Sequence, residues 1–186
     1  GGNLGTALTR AYEDPAQKPY AMHVVELSSF QLEGIIDASF QGTAILNLTP
    51  DHLDRYASHD EYGLAKARIF STQPQKGFAI VNADDAHVVR LGRAAKVPLY
   101  GFTSDAMRTN AGFTGVAVGG GSKFILAFGD KPVFHVRNRS LRGKHDLENA
   151  MAAAMMAHLA GVPTATIQEG LDAFPGLPHR MEFVRE

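Results

Sequence analysis

A carboxylate, an acid–imidazole pair and an amine fall at short spacing early in this chain. Glu26 lies at the end of the apolar run from Met22 to Leu27. Asp51-His52 follows a second apolar run, Thr43 to Leu48, and the turn Thr49-Pro50-Asp51. Lys66 sits fourteen residues after His52, within the sequence that predicts the next helix. A carboxylate at the end of a buried strand is costly without a cation or hydrogen bonds. That burden suits Glu26 to metal or phosphate chemistry, and the plain alternative is a partly exposed strand-end Glu bonded to a helix N-terminus. Neutral imidazole is a good metal ligand, and a neighbouring carboxylate orients it. The plain alternative for Asp51-His52 is surface loop polarity, in a chain with eight histidines. Lys66, from spacing alone, reads as a solvated helix side chain. Near a metal site a lysine has another option. It reacts with carbon dioxide to give a carbamate, an oxygen-donor anion suited to Mg²⁺.

These residues need elements that bring them to one place. Buried strands that finish in polar residues put those residues on one edge of a sheet. In open α/β sheets that edge is where ligands bind. The predicted strands are Tyr20 to Leu27, Thr43 to Leu48, Phe78 to Val81 and Val97 to Phe102. Ser28 is placed to cap a helix from Phe30 to Ile36. A second helix is predicted from about His59 to Thr72, with Tyr62, Ala65, Ile69 and Phe70 as its apolar stripe. Asp84 or Asp85 caps a third, running to about Ala95. The β-α-β-α rhythm predicts an α/β fold with a mainly parallel sheet flanked by helices and right-handed crossovers. From Thr103 the pattern changes to short runs, Gly112 to Val118, Lys123 to Phe128 and Val133 to Val136. Glycine-rich turns separate them, which predicts a small antiparallel hairpin appendage over about 103–136. The chain turns helical again from Asp146 to Leu159. Gly161-Val162-Pro163 stops that helix, and Thr164 is expected to cap another reaching about Phe174. The opening Gly1-Gly2-Asn3-Leu4-Gly5 predicts a glycine turn feeding a helix to about Tyr12, whose free N–H groups suit an anion.

Two later residues have nucleotide-type chemistry. Asn149 offers the donor and acceptor that read an adenine edge, and simple helix-start polarity explains it as well. Arg180 follows the stiff turn Pro175-Gly176-Leu177-Pro178-His179, where it is suited to a phosphate, a ribose or a hinge. No phosphate loop is legible: Gly115 and Gly120 have the right separation, but Gly121-Ser122 follow in place of Lys-Ser or Lys-Thr.

The 186 residues are 45% hydrophobic with a net charge of −1. That supplies a core and leaves no electrostatic footprint for nucleic acid or an anionic membrane. The chain has no cysteine, so disulfides and thiolate metal sites are excluded. No run approaches a membrane span, and the expectation is a cytoplasmic, monomeric protein. The start at Gly1-Gly2-Asn3, without Met, reads as a piece of something longer.

Taken in order, Glu26-Leu27-Ser28-Ser29-Phe30-Gln31-Leu32-Glu33, Asn47-Leu48-Thr49-Pro50-Asp51-His52-Leu53-Asp54-Arg55-Tyr56, Ala65-Lys66, Asn82-Ala83-Asp84-Asp85 and Gly176-Leu177-Pro178-His179-Arg180 resemble the Mur ligases. The Ser-Ser-Phe-Gln piece points to the branch that adds D-glutamate. The resemblance runs through the whole chain and covers the family's central ATPase domain, starting just after its phosphate loop. It implies a central domain over 1–180 and the start of a linker to a C-terminal domain over 181–186. It implies an ATP-dependent, amide-forming ligase of bacterial cell-wall precursor synthesis. The substrates would be UDP-N-acetylmuramoyl-L-alanine, D-glutamate and ATP. Glu26 would hold the Mg²⁺ that bridges the ATP β- and γ-phosphates. His52 and a carbamylated Lys66 would hold a second Mg²⁺, making both catalytic. Asn3 and Ser28 would contact the UDP-sugar substrate, Asn149 adenine, and Arg180 ATP near a domain hinge. Asp146 stands where the family has an amide, so it carries no adenine role. The isolated chain is expected to turn over little. Two alternatives stay open: another Mur or folylpolyglutamate-type amide ligase, and a dinuclear metal hydrolase built on Asp51-His52.

Overall fold

The computed structural model describes residues 9, 22–52, 54–105, 112–120, 123–127, 134–138, 140–141 and 143–176, with 120 and 123–127 described by their backbone. The predicted helix from Leu4 to Tyr12 lies outside these residues, as do Asn3 and Arg180. Six strands form one sheet in the order of the chain: β1 (Gly42–Ile45), β2 (Phe78–Asn82), β3 (Leu99–Thr103), β4 (Gly115–Gly120), β5 (Lys123–Ala127) and β6 (Phe134–His135). The first four are parallel, in registers such as Ile45↔Val81, Val81↔Gly101 and Phe102↔Ala117. The last two add antiparallel. The hairpin region is therefore continuous with the main sheet. Its first strand belongs to the parallel set, because Gly115–Val118 pairs along β3.

Every residue of β2 is buried, the mark of a parallel strand covered on both faces. Its side chains alternate between two cores. Phe78 and Ile80 face a cluster with Phe102, Phe134, Met151 and Met155. Ala79 and Val81 face a cluster with Ile45, Tyr62, Val88 and Leu91. Helices α4 (Lys144–Leu159) and α5 (Thr164–Ala173) cover the first face. Helices α2 (His59–Ala67) and α3 (Ala86–Gly92) cover the second, and the short α1 (Ser29–Glu33) packs on α2. Among the described residues no helix is long and apolar enough to cross a membrane.

Three local expectations need correction. The described part of the first predicted strand, 22–27, is irregular chain with a single bridge at Glu26, and Val24 is 76% exposed. An apolar run states a preference for burial, but a strand also needs a neighbour in register. Pro163, not Thr164, occupies the N-cap of α5, and it has no side-chain capping bond. The second helix ends at Ala67 and tightens into a 3₁₀ turn, Arg68–Phe70, a common way to close an α-helix.

Helix α1 starts on a reciprocal cap. The Gln31 N–H donates to Ser28 Oγ at 3.2 Å, and the Ser28 N–H donates to Gln31 Oε1 at 2.9 Å. At its other end Glu33 accepts from two consecutive residues: Arg55 Nη2 at 2.6 Å and the Tyr56 hydroxyl at 2.9 Å. Arg68 holds the same end through the carbonyls of Leu32 at 3.0 Å and Glu33 at 3.2 Å.

Phe102 is fully buried at the centre of the α4-facing core. Phe102→Ala is expected to cost about 3–5 kcal/mol, read as a lower urea midpoint with an unchanged slope. The hydrogen bond from Arg55, then that from Tyr56, holds the Glu33 carboxyl below its usual range. A carboxyl lowered by folding adds stability above its unfolded pKa and loses it as pH falls through the folded value. Glu33→Gln should therefore unfold earlier than the parent chain at pH 7. The gap should close below about pH 4. A gap that stays constant from pH 7 to pH 3 would contradict the assignment.

Candidate functional site

The carboxyl ends of β1, β2 and β3 are tied together by two adjacent acids. Asp85 caps α3 with one oxygen, accepting the N–H groups of His87 at 2.9 Å and Val88 at 3.1 Å. Its other oxygen accepts the N–H of Leu48 at 3.1 Å, just beyond β1. Asp84 accepts the Thr103 hydroxyl, and the Ser104 N–H and hydroxyl, each of the latter two at 2.9 Å. The sequence left the cap open between the two acids. The structure gives the cap to Asp85 and the tie to β3 to Asp84.

The chain leaves this edge and reaches His52 with φ at +53°, the only non-glycine left-handed residue among those described. Such a backbone costs about 1–2 kcal/mol for a residue with a Cβ. Three groups of contacts hold it. Asp51 Oδ1 accepts the His52 N–H at 2.8 Å, and Asp51 Oδ2 lies 3.5 Å from Nε2. The His52 carbonyl accepts the N–H groups of Arg55 at 3.0 Å and Tyr56 at 3.1 Å. The ring lies against Phe30 at 4.9 Å between centroids and edge-on to Tyr62 at 5.9 Å.

Lys66 reaches the same phenol ring. Its Nζ stands 5.1 Å from the Tyr62 centroid, one helical turn along α2, within the range of a cation–π contact. Close seating of α2 fixes that ring. Gly63 lies so near the core that a Cβ there would meet Leu48 Cδ2 at 2.9 Å. Tyr56 completes the pavement, 5.3 Å from Tyr62 and stacked on Phe30 at 6.2 Å.

The structure thus brings His52 and Lys66 together on Tyr62, with Ser28 at the start of the helix that carries Phe30. Glu26 is exposed, two residues before the Ser28 cap. Among the described residues no hydrogen bond or ion pair joins it to His52 or Lys66. Also among the described residues, no group of three or more His, Asp or Glu side chains is arranged to hold a metal ion. Asn149 lies elsewhere. It is exposed on α4, on the other face of the sheet, at an apolar cavity of about 400 Å³ between α4 and α5. Leu141, Ala153, Val162, Ile167, Leu171 and Phe174 also line it.

Sequence reading missed the aromatic pavement and the Glu33 grip. Tyr62 was legible as a core stripe residue, and its spacing of four from Lys66 was the available signal. Glu33 and Arg55 are 22 residues apart, and nothing in either motif announces the pair.

The Mur ligase middle domain family matches residues 5–157. Over 187 aligned residues the chain is 51% identical to a Myxococcus xanthus protein named UDP-N-acetylmuramoylalanine–D-glutamate ligase, covering all of this chain and 40% of that one. A protein of the same name from Anaeromyxobacter dehalogenans is 45% identical, again over the whole chain, and 41% of it is covered. The chain spans about two fifths of the length of these curated relatives. Among solved structures, a UDP-N-acetylmuramate:L-alanyl-gamma-D-glutamyl-meso-diaminopimelate ligase from Neisseria meningitides superposes with a TM-score of 0.57 at 22% identity. It covers 72% of this chain and 40% of that one. MurF from Acinetobacter baumannii gives 0.55 at 24% identity, covering 78% and 31%. These two likenesses bear on the fold alone. A parallel sheet with both faces covered, polar ties along its carboxyl edge and a family match over most of its length place this chain among the Mur ligases, as their middle domain.

Proposed function

We propose that this chain is the ATPase domain of a ligase that joins D-glutamate to UDP-N-acetylmuramoyl-L-alanine. The observation that carries this reading is 51% identity, across all of the chain, to a protein of that name. In this reading residues 1–180 form the domain and 181–186 begin the linker to the next. The protein works in the bacterial cytoplasm as a monomer.

The reaction sets two anions against each other. The substrate carboxylate attacks the ATP γ-phosphorus, the bond to ADP breaks, and an acyl phosphate forms. The amine of D-glutamate then attacks the acyl carbon. Phosphate leaves with the electron pair, and an amide results. The residues on the Tyr62 ring fit a divalent-ion site in their donor chemistry. His52 supplies an imidazole steadied by Asp51 and Phe30. Lys66, as a carbamate, supplies the oxygen anion that Mg²⁺ prefers. His52 and carbamylated Lys66 would hold one Mg²⁺, and Glu26 would hold the other against the ATP phosphates. When bound, the ions offset the repulsion between carboxylate and triphosphate and stabilise the charge of phosphoryl transfer.

The chain's own side chains have further parts in this reading. Ser28 and Asn3 contact the UDP-sugar substrate. The Ser28 hydroxyl is turned toward Gln31, donating to Oε1 at 3.1 Å, so contact with substrate means sharing that hydroxyl. Asn149 faces adenine and Arg180 the nucleotide near the hinge. No observation favours the hydrolase alternative, which needs a second histidine cluster upstream of Asp51-His52.

The test uses the full-length protein. Lys66→Ala should lower amide formation by about 10²-fold or more, measured as ADP released only when both UDP-N-acetylmuramoyl-L-alanine and D-glutamate are present. Undiminished turnover would remove Lys66 from the mechanism. Robust release without D-glutamate or the UDP-sugar would remove the ligase reading.

A further inference from the structure

The surroundings of His52 raise a question that its own contacts leave open. Its φ of +53° must be held by the chain around it. The two N–H groups that bond its carbonyl belong to Arg55 and Tyr56. The side chains of those same two residues converge on one carboxylate, Glu33, at 2.6 and 2.9 Å. Each oxygen of Glu33 serves one of them. The helix end that carries Glu33 is itself anchored from the other side by Arg68. Phe30, on the same short helix, touches the His52 ring, stacks on Tyr56 and lies 4.8 Å beneath the Arg55 guanidinium. An isolated surface ion pair does little. Here the pair is one side of a closed loop of contacts from α1 through residues 55–56 to the carbonyl of His52.

We propose that Glu33 is a positioning residue for His52, gripping Arg55 and Tyr56 so that the turn keeps the imidazole in its left-handed backbone position beside Phe30 and Tyr62. Glu33 touches no reacting atom in this assignment. Its effect passes entirely through Arg55 and Tyr56, whose N–H groups bond the His52 carbonyl. The proposal deepens the functional reading above and rests on it for the role of His52, but the placement of the ring is separable from that role.

The experiment therefore has two arms, both on the full-length protein. In the first, histidine labelled at Cε1 is observed by NMR, with the His52 signal assigned by its loss in His52→Gln. Glu33→Gln should move that signal while His145, exposed on α4, stays in place. An unmoved His52 signal overturns the proposal whether or not the protein is a ligase. Tyr56→Phe removes one of the two grips with little change in shape, and should give a smaller shift of the same signal. If Glu33→Gln fails to fold, this variant decides. In the second arm, Glu33→Gln should lower kcat about tenfold or more with less than a twofold change in KM for ATP. In a His52→Ala background the same substitution should cost nothing further. Equal losses in both backgrounds would mean that Glu33 acts independently of His52, and would overturn the proposal. A parent protein without ligase activity would sink the functional reading alone, because the first arm still reports on the ring.

Discussion

Asp85 divides its two oxygens between two elements, and the working edge of the sheet depends on that division. One oxygen closes the N-terminus of α3. The other holds the backbone N–H of Leu48 as the chain leaves β1. A carboxylate acceptor makes all three of these bonds stronger than neutral ones. The chain beyond Leu48 therefore departs toward Asp51 and His52 from a fixed point. Asp84 does the same service for β3 through Thr103 and Ser104. Two adjacent acids thus set the geometry of three strand ends.

From that edge outward the site is assembled by shape as much as by charge. Phe30, Tyr56 and Tyr62 form an aromatic pavement, with His52 and Lys66 standing on it. Tyr56 and Tyr62 are each 5% exposed and belong to the core beneath α2, while Phe30, 41% exposed, forms the outer edge of the pavement. The two tyrosine rings pack in one cluster with Ile45, Leu48 and Leu91. On the side of α3, Arg90 pairs with Asp60 of α2 and holds that carboxyl below its ordinary range. The two helices are joined at their exposed rims and packed at their centres.

Much of the fold was legible because buried parallel strands have plain sequence marks. Apolar runs ending in polar residues located β1, β2 and β3 to within a few residues. The run at 22–27 had the same mark and is not a strand, because pairing depends on a neighbour that local composition does not name. Glycine-rich turns suggested an antiparallel hairpin appendage over about 103–136. The pairing of Gly115–Val118 with β3 is a long-range fact of the kind local spacing does not encode. His52 and Lys66 stood out by type, and the structure puts both on one ring. Their supports did not stand out: Glu33 resembles any polar end of a short helix until Arg55 and Tyr56 are seen around it.

The hollow between α4 and α5 bears on which positions can take larger side chains. Alanines at 150, 153, 154 and 157 leave space where larger side chains would interlock. Helix α5 meets α4 across this hollow, while on the opposite layer a Cβ at Gly63 would press on Leu48 Cδ2 at 2.9 Å. Larger side chains at Ala153 or Ala157 therefore have space to grow into, whereas a side chain added at Gly63 has to displace Leu48.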